Sequence, residues 1–159
     1  MCGVVKYRVE KDGESHPFLV AEESHEYRLS IVNSPENAVD LVNSIFRLKN
    51  QAEEYVYMLA SDSRGRVIGV FEVSHGTVNR SLCSSREIYL RALISGAISI
   101  IVLHNHPSGD ASPSDVDIAI YNRLLEAGII MGVDLSDFII VGDDYYSFRE
   151  KEEWNFRGV

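Results

Sequence analysis

Apolar residues recur at helical spacing in three segments of the chain. The first segment begins at Ser34-Pro35, where the serine can cap a helix and the proline suits its first position. The second begins at Ser85 and ends at Gly96, and the third begins near Ser112-Pro113 and ends at Gly128. The apolar face of the first helix comprises Ala38, Leu41, Val42, Ile45 and Leu48. The apolar face of the third comprises Val116, Ile120, Leu124 and Ala127.

The segments between these helices have the patterns of β-strands. The run Ala97-Ile98-Ser99-Ile100-Ile101-Val102-Leu103 lacks regular alternation and is typical of a central strand that is buried on both faces. The turn residues Asp62-Ser63-Arg64-Gly65 separate two shorter runs and predict a hairpin. The predicted strands are residues 4–9, 27–32, 55–61, 66–73, 77–83, 97–103, 135–141 and 145–148.

Together these elements predict an α/β (α+β) fold with a mixed β-sheet flanked by helices. A length of 159 residues suits a single domain with a substantial core. We expect an N-terminal strand and turn extension at residues 1–33, a main domain at residues 34–150 and a polar tail at residues 151–159.

Composition and charge narrow the classes of function. No apolar run approaches the roughly 18 residues that a membrane-spanning helix needs, and the first residues lack the apolar core of a signal peptide. Cys2 and Cys83 are too few and too far apart for a disulfide framework, so a reducing cytoplasmic location is expected. The net charge of −9, from 15 basic and 24 acidic residues, disfavours direct nucleic-acid binding.

The strongest chemical signal follows the predicted central strand. His104 and His106 are two residues apart, so in an extended segment both side chains point to the same side. Ser114 and Asp117 are three residues apart and share a face of the third helix, which allows the carboxylate to reach the same ion. Two histidines and one carboxylate are a common catalytic zinc set that leaves a fourth position for water.

The same residues also have a purely structural interpretation. A His-X-His pair alone is common in turns and at surfaces, and Ser-X-X-Asp is a common capping pattern at the start of a helix. The combination of both patterns directly after a buried strand favours the metal site. Such a site also needs a general base, which is usually a carboxylate.

The spacing His104-X-His106, seven residues, Ser114, two residues, Asp117 resembles the JAMM (MPN+) zinc metalloprotease motif. The wording His-Asn-His-Pro-Ser-Gly around it is similar to the RadC-like branch of that superfamily, and the likeness extends over residues 34–150. The segments that carry this wider likeness are residues 76–79, 86–87, 137–142 and 146–150. The chain resembles the short form of the family, without a helix-hairpin-helix segment.

The resemblance implies the JAB/MPN fold, a three-layer architecture like that of cytidine deaminases. It implies one Zn²⁺ per chain, held by His104, His106 and Asp117, with Ser114 donating a hydrogen bond to the oxyanion. It also implies that Glu54, eight residues before Asp62, is the general base. From the residues alone the base stays open, and the other candidates are Glu53, Glu72 and Glu87.

The function implied is a zinc-dependent metallopeptidase that cleaves a peptide or isopeptide bond in an unknown peptide or protein substrate. Two alternatives stay open: a non-catalytic interaction module associated with DNA repair or mobile elements, and a site that binds zinc only for stability. The chain departs from the family's usual residues at Phe138, where histidine is common, at Tyr121, where threonine is common, and at Ser85, where proline is common.

Overall fold

The computed structural model describes residues 2–76 and 83–151. These residues form the strands β1 (Cys2–Lys11), β2 (Pro17–Tyr27), β3 (Glu54–Ser61), β4 (Val67–Gly76), β5 (Ser99–Asn105), β6 (Asp134–Val141) and β7 (Tyr145–Ser147). The helices are α1 (Pro35–Phe46), α2 (Ser85–Ser95) and α3 (Asp115–Met131), with a short 3₁₀-helix at Leu48–Asn50. The strands form one sheet in the order β2-β1-β4-β3-β5-β6-β7. The β1–β4 and β5–β6 pairs are parallel and the others are antiparallel, which confirms the predicted mixed sheet.

The sheet separates two apolar cores, because successive side chains of a strand point to opposite faces. On β3, Val56 and Met58 pack into the core that α2 and α3 cover. Tyr57 and Leu59 pack into the core that α1 covers. The helices therefore lie on both faces of the sheet. Alternate residues along a strand point to opposite faces, so a residue's place in this alternation determines which helices it contacts.

The strand predicted at residues 27–32 is wrong, because the second strand occupies Pro17–Tyr27. The turn before it is built on Asp12, whose carboxylate accepts hydrogen bonds from the backbone N–H groups of Glu14 and His16. The second strand lies at the edge of the sheet, and most of its residues are exposed or half-buried. Its polar composition therefore obscures the strand pattern in the sequence.

The structure moves the start of α3 from the predicted Ser112-Pro113 to Asp115. Ser114 is the N-cap, and its hydroxyl accepts a hydrogen bond from the Asp117 backbone N–H at 3.2 Å. The predicted apolar face is also wrong in part, because Val116 is exposed. The residues that α3 buries are Asp117, Tyr121, Leu124, Leu125 and Gly128.

The prediction that α3 ends at Gly128 is wrong, because the helix continues to a left-handed cap at Gly132. Gly128 instead allows Tyr89 of α2 to pack closely against α3, because a Cβ atom at Gly128 would lie 2.6 Å from the Tyr89 hydroxyl. The predicted start of α1 and both predicted bounds of α2 are confirmed, whereas Leu48 of the predicted α1 face belongs to the 3₁₀-helix. Ser34 caps α1, and Gly96 ends α2 in the left-handed conformation that glycine favours.

Parts of the prediction lie outside the described residues. These are the strand at residues 77–83, apart from Cys83, and residues 152–159 of the polar tail. Cys83 is buried, and burial raises the pKa of its thiol to about 12, as befits a core residue rather than a nucleophile. Within residues 2–76 and 83–151, each helix is too short or too polar to cross a membrane.

Candidate metal centre

Three side chains converge where β5 ends and α3 begins. His104 Nε2 lies 3.1 Å from Asp117 Oδ1, and His106 Nε2 lies 3.4 Å from Asp117 Oδ2. Bonds of about 2.0–2.1 Å to a tetrahedral ion separate neighbouring ligand atoms by about 3.4 Å. The spacing therefore suits a shared ion, and these three residues could hold one.

The hydrogen bonds of the two histidines provide a test of this fit. His104 Nε2 is buried and makes no hydrogen bond of acceptable geometry within the described part of the chain, although Asp117 lies within 3.1 Å. A buried nitrogen without a hydrogen bond is uncommon, and a metal bond would satisfy it. His106 Nδ1 lies 2.8 Å from the Asp110 carbonyl oxygen, which can only accept. That bond assigns the proton to Nδ1 and leaves the Nε2 lone pair of His106 for a metal.

The predicted orientation of the two histidines is confirmed. Their rings lie on the same side of the chain and meet edge to face, with centroids 4.8 Å apart. His106 follows the last residue of β5, yet its N–H still donates to the Val141 carbonyl at 2.9 Å. The extended conformation therefore continues through both histidines and keeps them at strand spacing.

Two glycines support the turn that carries His106. Gly109 has a φ angle of +87°, which other residues adopt only with strain, and its carbonyl accepts the Asp143 N–H at 2.7 Å. A Cβ atom on Gly142 would overlap the Gly109 carbonyl oxygen and lie 2.9 Å from the Ala111 nitrogen. The turn after β5 is therefore packed, backbone against backbone, on the turn between β6 and β7.

Replacing Gly142 with alanine is expected to displace this turn and to weaken metal binding by about 10- to 100-fold, as loss of outer contacts to metal ligands commonly does. The measurement is isothermal titration of the metal-free variant with Zn²⁺. Gly3→Ala is the matched control, because a Cβ atom at Gly3 meets no atom within 4 Å. Unchanged affinity in Gly142→Ala would contradict this role for the glycine pair.

Ser114 and Asp117 also form a capping box at the start of α3, so the structural interpretation of this pair is confirmed. The Ser114 hydroxyl and backbone N–H both donate to Asp117 Oδ2, at 2.6 and 2.7 Å. Burial alone would raise the pKa of the Asp117 carboxyl, but the adjacent imidazoles of His104 and His106 and the hydrogen bond from the Ser114 hydroxyl hold that pKa far below its usual range. Asp117 is therefore an anionic cap and a candidate metal ligand at once.

Glu54 is the first residue of β3 and lines the cleft in front of the histidines. Glu54 is two residues before Val56, so the alternation of the strand points both side chains to the same face of the sheet, the face that α2 and α3 cover. Val56 pairs with His104, so the antiparallel register, extended by two residues along each strand, places Glu54 opposite His106. The residues that line this cleft are Ala52, Glu53, Glu54, Gly76, His106, Pro107, Ser108 and Ser114.

The other glutamates differ in their surroundings. Glu53 also lines the cleft, but it lies before the first residue of β3, and the alternation of that strand assigns it to the face opposite to that of Glu54. Glu72 pairs with Lys6 at 3.4 Å and with His75 at 2.7 Å. Glu87 is bonded within α2 and pairs with two arginines, Arg86 and Arg91. The geometry favours Glu54, whose role as the base stays a prediction.

Sequence reasoning missed two supports of the site. The side chain of Asn105 forms hydrogen bonds with the backbone of residues 53 and 55 at the start of β3. Behind His104 lies the ring of Phe138, 5.5 Å away, which in turn packs on Tyr121 and Phe148. Two of the three residues that depart from the resembled pattern, Phe138 and Tyr121, therefore belong to one aromatic cluster.

Comparison with known proteins gives one consistent result. A family model described as "RadC-like JAB domain" matches residues 32–154. A UPF0758 protein of Pelobacter propionicus is 41% identical over 119 residues, which cover 74% of this chain and 51% of the relative. A UPF0758 protein of Clostridium acetobutylicum is 40% identical over 121 residues, or 76% of this chain and 52% of that protein. The chain thus spans about half the length of the curated relatives it matches.

Proposed function

The chain belongs to the RadC-like JAB domain family, and from this premise we propose that it is a zinc-dependent hydrolase that cleaves a peptide or isopeptide bond. The observation that supports the proposal is the group formed by His104, His106 and Asp117 beside a cleft. A buried, partnerless nitrogen on His104 and a fixed tautomer on His106 suit this group to zinc.

Each side chain would have one task. His104, His106 and Asp117 would hold one Zn²⁺, which, when bound, polarises a water molecule and the substrate carbonyl. The Glu54 carboxylate would accept a proton from that water and return it to the leaving amine. The Ser114 hydroxyl would donate to the developing oxyanion, for which it must release Asp117 Oδ2.

The substrate class proposed is a peptide segment of a protein. The cleft is open and has a volume of about 730 Å³, which is large enough to admit several residues of an extended chain. The net charge of −9 favours a peptide or protein partner over direct contact with nucleic-acid phosphates.

The test is cleavage of a proteome-derived peptide library by the zinc-loaded protein, with new termini identified by mass spectrometry. We expect specific cleavage that stops when zinc is removed and falls by about 10²–10⁴-fold in Glu54→Gln, the usual contribution of a general base. Glu87→Gln is the control, because that glutamate is paired within α2. A zinc-loaded wild type that cleaves no peptide or isopeptide bond would refute the proposal.

A further inference from the structure

The backbone of Asn105 pairs with the neighbouring strand β6 but not with the neighbouring strand β3. On the β6 side, β5 remains paired through Asn105, which lies opposite Val141. On the β3 side, the pairing ends one residue earlier, at Val56 and His104. The residues of β3 before Val56 therefore have no backbone partner on β5, although Glu54 belongs to this segment.

The Asn105 side chain occupies this gap. Its Nδ2 group donates to the Glu53 carbonyl at 2.9 Å, and its Oδ1 atom accepts the Tyr55 N–H at 2.7 Å. The residue is only 1% exposed. A carboxamide has one donor group and one acceptor, like a peptide unit, so it continues the ladder beyond the last backbone pair of β3 and β5.

From this geometry we propose that Asn105 is a positioning residue that selects Glu54, rather than a neighbour, to face the metal centre. The inference rests on the proposed function. The two hydrogen bonds fix the peptide units on both sides of Glu54, whose side chain alternation then directs it toward His106.

The alternative that this clamp prevents is a shift of register. A slip of one residue in β3 would turn Glu54 to the α1 side and bring Glu53 or Tyr55 to the metal side. On its other edge, β3 is held by β4, where Glu54 lies opposite Gly76. The buried side chains of β3 fix the register from Val56 onward, so the clamp acts on the segment before Val56. A register shift between Val56 and Tyr57 separates this segment from the rest of the β3–β4 pair.

Cobalt(II) is the probe, because its visible absorption spectrum reports on ionisations beside the ion. We expect Glu54→Gln to shift the pH midpoint of this spectrum by roughly one unit, the usual effect of one nearby charge. Asn105→Ala should bind one Co²⁺ with affinity within about threefold of wild type and shift the midpoint in the same direction. In the double variant the midpoint should equal that of Glu54→Gln, because both changes act through one carboxylate.

Two further variants keep the test decisive. Asn105→Leu removes both hydrogen bonds at nearly the same volume and adds no charge, so it should show the same shift if the alanine variant does not fold. Asn43→Ala is the matched control, since Asn43 also binds a backbone N–H, that of Lys49, at 2.8 Å but away from the site. Its midpoint should equal that of wild type.

The outcomes separate this inference from the proposed function. A wild type that binds no Co²⁺ refutes both. If wild type binds Co²⁺ but Asn105→Ala and Asn105→Leu keep its midpoint, only the positioning role is refuted. The role is also overturned if Glu54→Gln leaves the midpoint unchanged, if Asn105→Ala adds a further shift in the Glu54→Gln background, or if it loses Co²⁺ that Glu54→Gln retains.

Discussion

Replacing Asp117 with alanine is expected to weaken metal binding strongly and to destabilise the metal-free protein as well. The metal affinity should fall by about 100-fold or more, since each ligand carries a share of a binding free energy of roughly 10–16 kcal/mol. The free energy of unfolding without metal should fall by about 1–2 kcal/mol, because the capping box with Ser114 is lost. Zinc titration and urea denaturation in a chelator measure the two effects separately.

Two matched variants separate the capping role from the metal role. Ser114→Ala should lose about 1 kcal/mol of stability through the cap but retain one zinc ion per chain. His106→Ala should lose the zinc, while its metal-free stability should change by no more than about 1 kcal/mol, the usual contribution of one hydrogen bond. If Asp117→Ala loses stability but keeps the zinc affinity of wild type, Asp117 is only a cap.

The pH of these measurements matters because the pKa of Asp117 is depressed in the folded protein. A carboxyl with a depressed pKa contributes stability above its unfolded pKa, and that contribution is lost as the pH falls toward its folded pKa. Near neutral pH the contribution of Asp117 is fully present. The cost of Asp117→Ala should therefore shrink in acid.

The parts of the site that the sequence predicted are those that depend on short-range spacing. The His104 and His106 pair follows from the period of two in an extended chain, and the Ser114 and Asp117 pair follows from one helical turn. Both patterns survive small errors in the bounds of the elements. The start of α3 was misplaced by two or three residues, yet the two side chains still share a face.

The parts that could not be predicted depend on contacts between distant segments. Asn105 meets residues 53 and 55 across some fifty positions of the chain, and Gly142 meets Gly109 across the β5–β6 connection. Local periodicity carries no signal for such pairs, because they exist only after the strands have paired. The choice of Glu54 over Glu53 came from the family resemblance, whereas the parity of β3 supplies a physical reason for it.

Metal removal is expected to lower the melting temperature without unfolding the chain. Zinc at about 1,000 times its dissociation constant adds roughly 4 kcal/mol to the free energy of unfolding. For a chain of this size that corresponds to a rise of about 8–16 °C. The two apolar cores close without the metal ligands, so the chelated protein should retain its cooperative transition, unlike zinc fingers. Calorimetry with zinc and with a chelator measures the difference.

The rise in melting temperature that zinc causes should shrink as the pH is lowered, because protons compete with the ion for the histidines. The Asp117 carboxylate, through its hydrogen bond, raises the pKa of His106, so this competition begins at a higher pH than for an ordinary histidine. Glu54→Gln should keep the full rise, since Glu54 is not among the ligands. If the Glu54→Gln variant also cleaves peptides at the full rate, Glu54 is not the base. If neither this variant nor the wild type cleaves peptides, the zinc serves stability alone.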